Sequence, residues 1–123
     1  MAYENGLLTT SVPASTDLSA KQYFGVKIDT NGQLALAGEG DAAVGVLQDK
    51  PAAQGRVGCI AIGGVSKVAC GGTIAKGERF SFDSAGKAVS VGSGNDWSMG
   101  VMLEAGAAGI ISTCIIQPTG PTV

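Results

Sequence analysis

Residues 23–37 read Tyr-Phe-Gly-Val-Lys-Ile-Asp-Thr-Asn-Gly-Gln-Leu-Ala-Leu-Ala. From Tyr23 to Asp29 the residues alternate, which places Phe24, Val26 and Ile28 on one face of a strand. Asn31-Gly32 is a strong hairpin signal, because both residues tolerate the positive φ that a tight turn demands. Leu34 to Ala37 then returns as a second strand. A lone hairpin is marginal in water, so this one needs further strands around it.

The rest of the chain supplies them. Gly38-Glu39-Gly40-Asp41 turns the chain, and Val44 to Leu47 is a short apolar strand before the loop Pro51 to Gly55. Val57 to Ile62 and Val65 to Cys70 read as strands joined by a Gly63-Gly64 hairpin turn. Glu78 to Phe82, Ala88 to Val91, Met99 to Glu104 and Ile110 to Gln117 complete the set, with Asp83-Ser84-Ala85-Gly86 as a turn. Only Asp17 to Gln22 and Glu104 to Ala108 leave room for a helical turn. Eight to ten short strands predict an all-β fold, a small barrel or sandwich. Its domain is expected over 17–118, after an extended N-terminal arm over 1–16 and before an irregular C-terminal tail over 119–123. A frayed terminus is the alternative reading of the arm.

The quoted stretch also recurs. Asp29, Gly32, Gly38 and Gly40 match Asp83, Gly86, Gly92 and Gly94 at an offset of 54 residues. At an offset of 55, Asp41, Gly45, Val46 and Cys59 match Asp96, Gly100, Val101 and Cys114. The ordered matches predict two pseudo-repeated halves, near 20–62 and 74–117, related by a pseudo-twofold. Each alone would leave an apolar face bare. Coincidence is the competing reading, since Asp and Gly are general turn residues.

Composition agrees with strands and turns. The 123 residues include 20 glycines, about twice the usual share. Helices tolerate Gly poorly, at about 1 kcal/mol each. Aromatics are 5% and charged residues 15%, so the core is expected from Val, Ile, Leu and Ala. The net charge is −2 and no Lys or Arg block occurs, so the basic stripe that phosphate binding needs is missing. Nucleic acid is not an expected partner. Neither is a membrane: the strongest apolar run, Ile110 to Ile116, is strand-length, and the N-terminus lacks a signal-peptide pattern.

Catalytic equipment is absent from the pattern. There is no His, which removes the commonest general base and the Ser-His-Asp and Cys-His arrangements. Cys59, Cys70 and Cys114 are odd in number without CxxC spacing, and read as buried thiols of a protein made in a cytoplasm. Asp29, Asp41, Asp83 and Asp96 are carboxylates by count, but each lies at a turn, where Asp bonds local amides. Gly86-Lys87 is followed by Ala88, so a phosphate loop fails, and Gly92-Ser93-Gly94 opens no helix. No enzyme, metal or cofactor is expected.

Contact residues are the remaining candidates. Residues 105–123 carry no charged side chain and residues 1–16 carry one, Glu4. Both ends are cheap to desolvate against a partner. Leu7, Leu8, Val12 and Pro13 of the N-terminal stretch are the candidate partner or subunit contacts. Trp97, the single tryptophan, reads first as a core or lid residue and second as an interface anchor.

Several stretches together resemble a known family: Asp17-Leu18-Ser19-Ala20-Lys21-Gln22-Tyr23, Gly45-Val46-Leu47 before Pro51-Ala52-Ala53, Gly71-Gly72-Thr73-Ile74-Ala75-Lys76-Gly77, and Asp83-Ser84-Ala85-Gly86-Lys87-Ala88. The ordered set is similar to the DUF2190-like head decoration (cement) proteins of tailed bacteriophages, over about Asp17 to Pro118. The resemblance implies a β-barrel or sandwich on the outer surface of the virion head, synthesised in the bacterial host cytoplasm. It implies the major capsid protein as partner, and a homo-oligomer, trimer before dimer, that holds the shell against internal pressure by bridging capsid subunits. It brings no catalytic residue. A recombinase label carried by some relatives is opposed here by the missing phosphate loop and basic patch. A fibre or adhesin module for a host surface glycan is the alternative. It would need an exposed aromatic cluster from only six aromatics.

Overall fold

The computed structural model describes residues 5–92 and 96–121. Every regular element among them is a strand. These are β1 (Asn5–Pro13), β2 (Gly25–Ile28), β3 (Leu34–Leu36), β4 (Gly45–Leu47), β5 (Val57–Ala69), β6 (Arg79–Phe82), β7 (Ala88–Ser90), β8 (Trp97–Met102) and β9 (Ile111–Pro121). They form one curled antiparallel sheet, a half-barrel, in the order β3-β2-β4-β5-β9-β8-β6-β7, with β1 also on β5. The two places left for a helical turn hold turns only.

The quoted hairpin forms, with the positive φ at Gly32 and not at Asn31. Asp29 Oδ1 accepts the amides of Asn31 and Gln33, each at 2.9 Å, and Gly32 takes a φ of 74°. Asp83 repeats this: its Oδ1 accepts the amides of Ala85 and Lys87 at 2.8 and 2.9 Å, and Gly86 has a φ of 77°. Both carboxylates replace amide partners that a bare turn would leave to water.

The repeat extends to strand register. Val26 faces Leu36 as Phe80 faces Ser90, and Val26 faces Gly45 as Phe80 faces Gly100. A Cβ at Gly45 would overlap the carbonyl oxygen of Ala61, and one at Gly100 that of Ile115. Leu47 faces Ile60 as Met102 faces Cys114. That register corrects one match. Cys114 is the counterpart of Ile60, not of Cys59, because the loop after β4 is one residue longer than the loop after β8.

The repeat also starts earlier than the turns suggest. Pro13 faces Val57 as Ala69 faces Ile111, and Thr10 faces Ile60 as Ser66 faces Cys114. β1 therefore opens the first half and the end of β5 opens the second. This overturns the hairpin at Gly63-Gly64. β5 runs straight through, because its two segments find partners elsewhere: β1 and β4 along the first, β9 along the second. Gly64 serves close approach instead, since a Cβ there would collide with the backbone of Gly6. Residues 5–13, within the stretch read as an arm, are extended against β5. β9 continues past Pro118 to Pro121.

A twofold relation does not describe how the halves meet. The amide of Gly25 donates to the carbonyl of Gly86 at 2.7 Å, and that of Gly40 to Phe82 at 2.9 Å. A Cβ at Gly86 would lie 2.7 Å from Leu36, so the β6–β7 tip is pressed onto the first half. A twofold would return the contact from the β2–β3 tip, yet a Cβ at Gly32 would meet nothing within 4 Å. The units stand head to tail.

Their cores correspond. One cluster holds Val26, Leu34, Leu47 and Ile60, and the larger one holds the counterparts Phe80, Ala88, Met102 and Cys114. The larger cluster adds Phe82, edge-on to Phe80 at 5.7 Å, and residues of both halves such as Val46 and Ile116. Burying each such side chain is worth about 1.5–3 kcal/mol, so the junction between halves is the main hydrophobic store.

Candidate functional site

The first exposed apolar surface is built on β1. Its side chains divide between two faces. Leu7 and Val12 are half-buried and pack on the larger and smaller cores respectively. Leu8 is 62% exposed, and Pro13 is exposed opposite Val57, itself 58% exposed. β5 is the one strand β1 pairs with among the described residues, so its outer edge presents unpaired backbone groups. No charged side chain occurs from Asn5 to Thr16. Native edge strands are normally blunted by charge, and this one is not.

Trp97 lies elsewhere. It opens β8, packs half-buried on the larger core, and donates its amide to the carbonyl of Gly40 at 3.1 Å. Its ladder neighbour is Pro121. No strand pairing joins it to β1.

A second surface lies around the start of β9, within the uncharged stretch 105–123, where Ile110 and Ile111 are 46% and 48% exposed. Gly109 turns the chain there with a φ of 84°, as Gly55 does before Arg56 and Val57 in the first half. The available signal was that Arg56-Val57 and Ile110-Ile111 hold equivalent places, and Arg56 needs solvent.

The titratable groups are arranged for structure. Asp41 accepts the ammonium of Lys27 and the amide of Gly38, each at 2.9 Å, and the lysine first, then the amide, hold its carboxyl below the usual range. Cys70 and Cys114 are buried free thiols. Burial raises both, Cys114 to about 12, so both stay protonated and poorly nucleophilic at neutral pH. Among the described residues, no group of three or more His, Cys, Asp or Glu is placed to hold a metal ion.

The described residues thus offer exposed apolar surfaces at β1 and at the start of β9. The family model described as phage cement protein matches residues 3–115. No curated protein matches the chain. Among solved structures, the fold is similar to the N base of the head fiber protein gp8.5 of bacteriophage phi29. The TM-score is 0.67 at 16% identity, covering 90% of this chain and 94% of that one. At that identity the likeness speaks for the fold.

Proposed function

The chain belongs to the phage cement protein family, and from that premise we propose that it binds the outer surface of a tailed-phage head. There it stabilises the shell by bridging major capsid protein subunits. The observation that carries the reading is the uncharged β1 edge. Leu8 and Pro13, with Val57 beside them, supply apolar contact, while Leu7 and Val12 fasten the strand to the cores beneath. Unpaired amides and carbonyls along the edge suit an added strand from the partner. Trp97 is proposed as a second contact.

The mechanism is binding energy alone. A homo-oligomer, a trimer before a dimer, multiplies small interfaces through effective concentration. Anything bound to the closed shell and not to the ruptured one shifts the balance toward closure. Heads stripped of the chain, compared with heads to which it has been added back, should rupture at a lower temperature. Equal rupture temperatures would contradict the cement role. The likeness to a head fiber base supports a second reading, a fibre- or adhesin-type module for a host glycan. Binding to host-cell glycans with no effect on head rupture would favour it.

A further inference from the structure

Three lysines far apart in sequence stand over the rings of two consecutive residues, Tyr23 and Phe24. The ammonium of Lys21 lies 5.0 Å from the centroid of Phe24, and that of Lys87 lies 5.7 Å from the same ring. The ammonium of Lys67 lies 5.4 Å from the Tyr23 ring. Among the described residues none of the three has a carboxylate within ion-pair distance, whereas Lys27 has Asp41. Three of eight cations thus stand over the rings of consecutive residues, with no ion-pair partner among the described residues, in a chain of net charge −2.

Phe24 and Lys87 also line a pocket of about 230 Å³, together with the exposed Ile110 and Ile111. Cys70 and Ala69 also line it. That volume suits one or two apolar side chains. The pocket exists because the first half, through Gln22 and Phe24, leans on the second.

The backbone adds an independent observation. Tyr23 has a φ of 70°, the one positive value outside glycine among the described residues. Its counterpart is Gly77, with a φ of 77° and the same amide bond: Tyr23 to Leu47, Gly77 to Met102, each 2.7 Å. A bulky residue in the left-handed region carries a steric penalty that glycine avoids. Strain of this kind collects where a side chain is used. Here it sets a ring beneath Lys67.

We propose that Lys21, Lys67 and Lys87 on the Tyr23-Phe24 platform, with the adjoining pocket, receive an acidic segment of a partner polypeptide. Its carboxylates sit among the ammonium groups, and an apolar neighbour enters against Ile110 and Ile111. In the setting of the head this rests on the cement reading, and it names the partner's chemistry. A polypeptide fits better than nucleic acid. The cations are three point charges rather than a stripe, and the space beside them is apolar.

The test uses the full chain, a peptide of alternating Glu and Leu, and an oligothymidine of similar charge. NMR should show the peptide perturbing the Tyr23, Phe24 and Ile111 amides, with affinity falling as salt rises. Replacing all three lysines by Gln should weaken peptide binding about tenfold, as expected for several exposed charge pairs. Lys76→Gln should leave it unchanged. Tyr23→Gly, which keeps the backbone and removes the ring, should weaken it as well. Peptide binding that is absent, or unaltered in the triple variant, overturns the proposal, as does tighter binding of oligothymidine. Stripped heads separate the two readings. A wild-type chain that binds the peptide but not heads counts against the cement role alone. One that binds heads as well as the triple variant does counts against this site alone.

Discussion

Gly25 and Arg79 hold the same place in the two halves, and they make opposite surfaces. At Gly25 the missing side chain leaves a seat that the Phe82 ring fills, since a Cβ there would lie 2.5 Å from it. At Arg79 the seat is occupied from within. The guanidinium donates to the hydroxyl of Ser98 and, at 2.9 Å, to the carbonyl of Gln117. The same contrast runs along the ladder: Ala61 is fully buried, while its counterpart Ile115 is 36% exposed. The first half is a receptor for the second, and the second ends in its own cap. One backbone plan used twice therefore gives two joined units, with an edge at β1 that no other described strand covers and a pocket at the seam.

The sharpest way to break this contrast is to truncate the matched pair Phe82 and Ile28. Phe82→Ala removes the ring seated on the first half and should cost about 3–5 kcal/mol by denaturant unfolding. Ile28→Ala, at a residue 40% exposed beside the tip where a Cβ on Gly32 would meet nothing within 4 Å, should cost well under half of that. Equal losses would mean that the head-to-tail contact does not hold the halves together.

The two turns share one set of internal hydrogen bonds, although only the Asp83 turn is also pressed onto the other half. Asp29→Ala and Asp83→Ala each remove a carboxylate that accepts two amides, and each should cost about 1–2 kcal/mol. A large difference between them would show that the turns are not equivalent.

The smallest effect concerns pH. The Asp41 carboxyl is held down first by Lys27 and then by the Gly38 amide. A group whose folded pKa is depressed adds stability above its unfolded pKa, and loses it as pH falls through the folded value. Stability should therefore decline on the acid side, below about pH 4, and Asp41→Asn should flatten part of that decline. An unchanged slope would remove Asp41 from the account.

Much of this was readable from residues. Alternation around Val26 and the Asn31-Gly32 turn gave the strands, and Asp and Gly spacing gave the repeat. What stayed hidden depended on partners distant in the chain. Gly63-Gly64 reads as a turn locally, and only the separate partners of its flanks make it continuous strand. The Lys21, Lys67 and Lys87 cluster has no linear signature, because folding alone brings those positions together. Leu8 and Pro13 could be named as contact candidates from the lack of charge. Their outward direction, and that of Val57 beside them, depends on the β1–β5 register.

The central claim is that this chain acts through contact with the head shell. A cryo-EM map of the parent particle, resolved well enough to trace strands, tests it most directly. The account predicts density for the module on the outer shell, with the β1 edge and Leu8, Pro13 and Val57 against the major capsid protein. A map in which that edge faces solvent, and the module touches no capsid subunit, would contradict it.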